Sequence, residues 1–238
     1  MKMGLYEIKM HLKRLKIVKY VLERKFNKES SEKQERLAEN GLQCIIEVES
    51  CLKEYRVNYF ADFGTLLGII RDHQFISWDI DIDYGILLSD EFDWFKFEKH
   101  LNSYGFEKIR QFRLYDKIRE QTYRKGDITI DFFGHENIEG RGIIYDFYRQ
   151  EGYIYHSIYE HHVRKANYDM VEKTRTELFL GVEVRVPENA ESYLESVYSA
   201  SWKIPNPEWS DSNFVNMEIL SDLGYGDFLV NSGRYSAR

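Results

Sequence analysis

The stretch FGTLLGIIRDHQFISWDIDIDYGI, Phe63 to Ile86, ends with three aspartates, Asp79, Asp81 and Asp83, at alternate positions among apolar residues. Alternation is the period of a strand, so the three carboxylates are predicted on one face, with Ile80, Ile82 and Tyr84 on the other. Like charges so placed repel and raise one another's pKa unless a cation sits among them. Hard oxygen donors suit Mg²⁺ or Mn²⁺, which phosphoryl-transfer sites hold with carboxylates and substrate phosphates. An exposed edge strand would also carry charges on its solvent face. Two isoleucines on the opposite face argue for a buried strand instead.

The neighbouring sequence supplies the rest of such a site. Upstream, Gly64 and Thr65 open a short predicted helix and offer backbone N–H groups and a hydroxyl to a phosphate, and Arg71 adds a fixed cation. Downstream, DITIDFF puts Asp127 and Asp131 on one face of a neighbouring strand, a second source of carboxylate.

Around this centre the pattern reads as α+β. Leu5, Ile8, Leu12, Leu15, Val18, Leu22 and Phe26 follow a helical period, and Ser31 with Gln34 reads as a capping box opening a second helix to about Tyr55. A strand is expected at about 57–61, a helix at 90–104 ended by Gly105, and two or three strands between Phe106 and Phe133. Residues 141–165 are aromatic and give no clear period. LFLGVEVRVP reads as one strand, ENAESYLESVY as a helix, and the tail from Asp211 as a further helix.

Composition bounds the class. With 43% hydrophobic and 31% charged residues in 238, the chain is globular and long enough for a sizeable core. Residues 1–28 hold nine Lys or Arg against two Glu, a net of +7, so the remainder carries −14. An acidic body speaks against a nucleic-acid binder. The basic amphipathic segment could lie on an anionic membrane surface, meet a partner, or pack on its own domain. Cys44 and Cys51 stand seven apart in a helical stretch, about 10 Å apart and beyond disulfide reach, which suits a reduced, cytoplasmic setting. No apolar run is long enough to span a bilayer.

His156, His161 and His162 fit no common zinc spacing, and a role for one of them or for Arg164 at a phosphate is the more natural reading. Trp78 is expected to support the aspartate strand from the core.

Residues 60–87 resemble the signature of the LicD/fukutin family, with its G-T-x-L-G-x-x-R and W-D-x-D-x-D. The likeness continues through IDFF at 130–133 and through VPENAESYLESVYSASWKIPNP at 186–207, where Ser199 replaces a glycine usual in the family. The resemblance implies a nucleotidyltransferase-like mixed β-sheet flanked by helices. On that basis residues 1–28 form an N-terminal extension and residues 29–238 one catalytic domain. It implies a phosphotransferase moving phosphocholine, ribitol phosphate, glycerol phosphate or a similar group from a CDP-linked donor to a glycan or lipid-linked glycan, at or near the inner membrane face. The alternative is a true nucleotidyltransferase that transfers NMP to a small-molecule or sugar phosphate. By the same resemblance Asp81 and Asp83 are the central metal ligands, Asp79 the first carboxylate of the motif, and Asp131 a carboxylate that ligates metal, accepts a proton, or both. Gly64, Thr65 and Arg71 would hold the donor phosphates.

Overall fold

The structure is a computed structural model and describes residues 16–210, 213–230 and 234–235. It opens with helix α1, Lys16–Tyr55, 40 residues in one piece and about 60 Å long at 1.5 Å per residue. No helix start occurs at Ser31. The stretch around it holds no Pro or Gly to break the helix, and a capping side chain acts only where the backbone leaves helical geometry. Gln34, the expected capping partner, instead donates its amide to the carbonyl of Trp78 at 3.3 Å. The apolar stripe Leu37, Cys44, Ile45, Val48, Cys51 and Leu52 is buried. Both thiols are free, and burial pushes each up to about 12. Most of the basic segment 1–28 lies outside the described residues, and no described helix is long and apolar enough to cross a membrane.

Strand β1 (Tyr59–Ala61) leads into helix α2 (Phe63–Leu67), which widens into a π-helical turn, Gly68–Asp72. Strand β2 is Ile82–Leu87, so of the three aspartates only Asp83 lies on it, and Asp79 and Asp81 belong to the turn before it. Helix α3 (Trp94–Ser103) stops as expected, with Gly105 at φ 79 and its N–H on the Asn102 carbonyl. Strands β3 (Glu107–Leu114), β4 (Lys117–Lys125) and β5 (Ile128–Ile138) follow as a meander.

The stretch without a legible period contains two strands, β6 (Arg141–Tyr148) and β7 (Glu160–Asp169). LFLGVEVRVP contributes to a hairpin rather than one strand, β8 (Thr174–Phe179) and β9 (Val182–Pro187). Leu180 and Gly181 turn it at φ 49 and 87, the left-handed pair that two-residue hairpins require. Helix α4 (Ala190–Tyr198) is where it was read, but the tail forms a 14-residue strand, β10 (Met217–Val230), which pairs with β11 (Arg234–Tyr235).

The large sheet runs β1-β2-β5-β4-β3-β10-β7-β6, and β6 pairs back onto β5. Six strands, β5, β4, β3, β10, β7 and β6, thus close into a ring, from which β2 and β1 extend as a flap. Only the β2–β5 pair is parallel. Closure removes edges that would otherwise template aggregation. The main core lies between the flap and the helices. A second core of Phe112, Leu114, Ile143, Tyr145, Phe147 and Val163 joins strands across the ring, with Phe112 and Phe147 stacked at 4.9 Å. A Cβ at Gly224 would stand 2.3 Å from Phe147, so β10 needs a glycine to let that ring in.

Candidate active site

Hydrogen-bond register sets the site. Asp83 on β2 is directly opposite Asp131 on β5, and Asp131 is opposite Thr122 on β4. Thr122 in turn faces Arg110 on β3. Four side chains therefore form one row across four strands. Asp131, read from the sequence as a neighbouring-strand carboxylate, takes that place. Asp127 does not: it sits in the β4–β5 turn, 71% exposed and 3.8 Å from Arg36.

The turn before β2 folds Asp79 and Asp81 back over this row. Asp79 caps its own turn, its N–H on the Ile76 carbonyl at 3.0 Å and its Oδ1 accepting from the Ile80 N–H at 3.0 Å. Its other oxygen lies against Gly64, where a Cβ would meet it at 2.4 Å. Gly64 is thus the residue that lets this carboxylate approach. The Gly64 N–H donates to Asp83 Oδ2 at 3.2 Å, and the Thr65 hydroxyl accepts from the Asp83 N–H at 2.9 Å.

These contacts give the residues expected at the donor phosphates partners within the protein itself. Thr65 is buried and latches β2, away from the cavity, and the Gly64 N–H is already used on Asp83. The guanidinium of Arg71 is likewise engaged. Its Nε and Nη2 grip both oxygens of Asp72 at 2.8 and 2.7 Å, and Nη1 donates to the Trp202 carbonyl at 3.2 Å. Arg71 lines the cavity, but as a brace of its wall. Ile80, expected on the apolar face, also lines the cavity.

The cavity encloses about 640 Å³. Asp79, Asp81, Asp83 and Asp131 gather on one side, with Glu120 and Asp146 deeper toward the ring. Trp78, Tyr198, Trp202, Trp209 and Phe214 give the same cavity an aromatic lining, with Tyr198 close enough to Asp83 and Asp79 to feel their charge. Trp78 thus faces the site as well as packing on the core.

Burial and crowding govern the electrostatics. Burial lifts the Asp79 carboxyl to about 6, its hydrogen bonds from Ile80 and Asp81 working against the rise. Asp81 and Asp83 are held well above the carboxylate range, first by burial and then by their carboxylate neighbours, with Arg110 a partial counterweight at Asp81. Glu120 is raised by burial too, against the pull of Arg110. Arg110, though burial opposes its charge, is kept protonated by Asp131 and Glu120.

This donor set has the chemistry of a hard-cation site: four aspartates line one cavity, with Glu120 and Asp146 also on it and the Arg110 guanidinium among them. They ring a space rather than converge on a point: among the described residues no three His, Cys, Asp or Glu side chains stand as a ready metal cage. The fit to Mg²⁺ or Mn²⁺ therefore rests on donor type and on carboxylate charge that Arg110 offsets only in part.

Arg110, Thr122 and Glu120 were not legible as site residues. KIRQFRLYDKIREQTYR reads as two polar strands, and only the pairing register brings Arg110 and Thr122 beside Asp131. The histidines stand apart from the aspartates. His161 Nδ1 bonds the Tyr159 carbonyl at 2.9 Å, and His162 Nδ1 shares a hydrogen bond with the Tyr155 hydroxyl at 2.6 Å. Arg164 donates through Nε to Asp146 at 2.6 Å, so it meets a carboxylate of the cavity.

The family described as LicD/FKTN/FKRP, nucleotidyltransferase domain, matches residues 56–189, more than half of the chain, from the approach to β1 to the end of β9. The match takes in Asp79, Asp81, Asp83, Asp131, Thr122 and Arg110, and leaves out α1, α4 and β10. No curated protein matches the chain.

Proposed function

Because the chain belongs to the LicD/FKTN/FKRP nucleotidyltransferase-domain family, we propose that it is a metal-dependent phosphotransferase. In this reading it moves a phospho-alcohol group, such as phosphocholine, ribitol phosphate or glycerol phosphate, from a CDP-linked donor to a surface glycan. The observation that carries the reading is that Asp79, Asp81, Asp83 and Asp131 line one cavity together with a group of aromatic side chains.

The four aspartates are the groups that would hold Mg²⁺ or Mn²⁺, which when bound supplies neutralising charge to the donor phosphates. The chain's own residues do the placing. Thr65 and the Gly64 N–H fix Asp83 against β5, so two carboxylates of the site keep the spacing of a parallel strand pair. Gly64 and Arg71 line the cavity, and the donor pyrophosphate is proposed to lie along that part of it. The acceptor hydroxyl oxygen forms a bond to the phosphorus that carries the alcohol. The bond from that phosphorus to the bridging oxygen breaks and CMP leaves. Asp131 is the member of the row that takes the hydroxyl proton or shares the ion. The aromatic wall excludes water from the exchange. Positioning and charge provide most of the acceleration in such transfers.

The test is CMP release from a panel of CDP-alcohols with Mg²⁺, with and without candidate glycans. Glycan-dependent CMP release is expected. Pyrophosphate release from CTP and an alcohol phosphate, without glycan transfer, would favour nucleotidyl transfer, and neither product would overturn both readings.

The segment 1–28, at +7, is proposed to bring the cytoplasmic enzyme to an anionic inner leaflet, where each Lys or Arg near the surface contributes about 1 kcal/mol. Flotation with anionic vesicles checks this: equal binding after removal of residues 1–28 excludes it.

A further inference from the structure

The row of side chains across β2, β5, β4 and β3 does more than gather carboxylates. Arg110 Nε donates to Thr122 Oγ1 at 2.9 Å, which directs the threonine hydroxyl hydrogen elsewhere. It goes to Asp131 Oδ1. Arg110 Nη2 reaches the same oxygen at 3.3 Å. Both donors end on Oδ1, and among the described residues none donates to Oδ2. Glu120 lies 3.8 Å from Arg110 Nη2 and steadies the guanidinium from its other side.

We propose that Thr122 and Arg110 are positioning residues for Asp131: by holding Oδ1 between them they present Oδ2 alone to the cavity. The inference rests on the metal reading of the site and deepens it. A carboxylate free to rotate can offer either oxygen or both. One fixed through Oδ1 offers a single oxygen in a single direction, which spaces an ion from Asp83 by the strand register. Threonine suits the place because its hydroxyl accepts from one neighbour while donating to the next. Its buried position on a central strand holds that relay rigid. Arg110 reaches Asp131 from two strands away because it starts from the same register line. Partners that orient a ligand in this way typically set 10–100-fold in metal affinity.

The probe is Mn²⁺ alone, titrated into the full-length protein and followed by electron paramagnetic resonance, with no donor or acceptor present. Thr122→Val keeps the shape and strand preference but removes the relay, and should weaken Mn²⁺ binding about tenfold. Thr122→Ser restores the hydroxyl and should bind as the unaltered protein does. Arg110→Lys keeps the charge and loses the fork, and should weaken binding about threefold. In an Asp131→Asn background Thr122→Val should have no further effect, since partners acting through one residue are not additive. Unchanged affinity in Thr122→Val and Arg110→Lys would overturn the assignment. An equal loss from Thr122→Val with and without Asp131 would overturn it as well. If the unaltered protein binds no Mn²⁺, the metal reading itself falls and this one with it, an outcome distinct from either of the others.

Discussion

The two sides of the cavity are built in opposite ways. The acidic side stands largely on strands whose register is locked by hydrogen bonds, with Asp83, Asp131, Thr122 and Arg110 in one row. Most of the aromatic lining, Trp202, Trp209 and Phe214, stands on the irregular segment between α4 and β10, which starts at Ser199 with φ 71 and ψ 175, a backbone conformation open essentially to glycine. One is rigid because every neighbour fixes it. The other is held at a few points, of which the Arg71 bond to the Trp202 carbonyl is one. Chemistry that tolerates little displacement belongs on the first kind of support, and recognition of a variable substrate on the second.

If this division is right, the largest effect comes from the rigid side. Asp83→Asn should reduce CMP release at least a thousandfold while the fold survives. Without metal it should even melt higher, because burial and the surrounding carboxylates oppose the charge at this position. The pH dependence of the metal-free protein follows the same sign. Asp79, raised to about 6 in the fold from an ordinary value of 3.8, binds its proton more tightly when folded. Stability from this group is therefore intact below about pH 4 and declines as pH rises toward about 6, where the folded carboxyl also ionises. Asp81 and Asp83 extend the decline to higher pH. Thermal melts from pH 4 to 8 should show the decline in chelator and its reduction in Mg²⁺. A metal-free Asp83→Asn protein that melts lower at pH 7 would break the account.

How far each side could be read from sequence follows from the same contrast. The acidic centre was legible because charges among apolar residues at period two have few explanations, even though only Asp83 proved to lie on the strand. Asp79 and Asp81 reach the same cavity through a turn. Thr65 and Arg71 turn their polar groups to protein partners, a choice the sequence leaves open because hydroxyls and guanidinium groups serve backbone and phosphate equally well. Ring strands β6 and β10 were hidden for a different reason. On β6, Ile144 belongs to the main core and Ile143, Tyr145 and Phe147 to the second, so both faces are apolar and alternation disappears. On β10 a register shift between Ile219 and Leu223 interrupts the period and imitates a helical spacing. The row itself was out of reach, because register across four strands is a tertiary property.

Gly64→Ala probes the joint between the acidic turn and α2. The added methyl would need the space 2.4 Å from Asp79 Oδ2, and the carboxylate is what can yield. Activity should fall about tenfold or more, as expected for about 1 Å of misplacement near the chemistry, with a far smaller change in melting temperature. Full activity would mean that the position of Asp79 is not critical.

Arg71→Lys acts on the aromatic side. Lysine cannot hold both oxygens of Asp72 and the Trp202 carbonyl together. The wall should loosen, raising the KM for the donor by about fivefold to tenfold and leaving kcat within about twofold. A fall confined to kcat would instead place this guanidinium on the transferring phosphoryl group and merge the two sides functionally.

The smallest effect is expected at Ser199, and it has the opposite sign. A serine at φ 71, ψ 175 carries a backbone cost of about 1–3 kcal/mol that glycine avoids. Against that gain stand the greater freedom of glycine in the unfolded chain, about 0.4–1 kcal/mol, and the loss of the side-chain contact between Ser199 and Ser201 at 2.9 Å. That contact is exposed and therefore weak. The terms leave Ser199→Gly more stable by about 1 kcal/mol, measurable as a rise of about 2–4 °C in melting temperature. The aromatic wall follows directly on this residue, so relief of strain should not move the acidic row. Mn²⁺ affinity is then expected to stay unchanged. A Ser199→Gly protein that melts lower would show that serine is preferred at this turn, whereas a shift in Mn²⁺ binding would show that the two sides of the cavity are mechanically coupled after all.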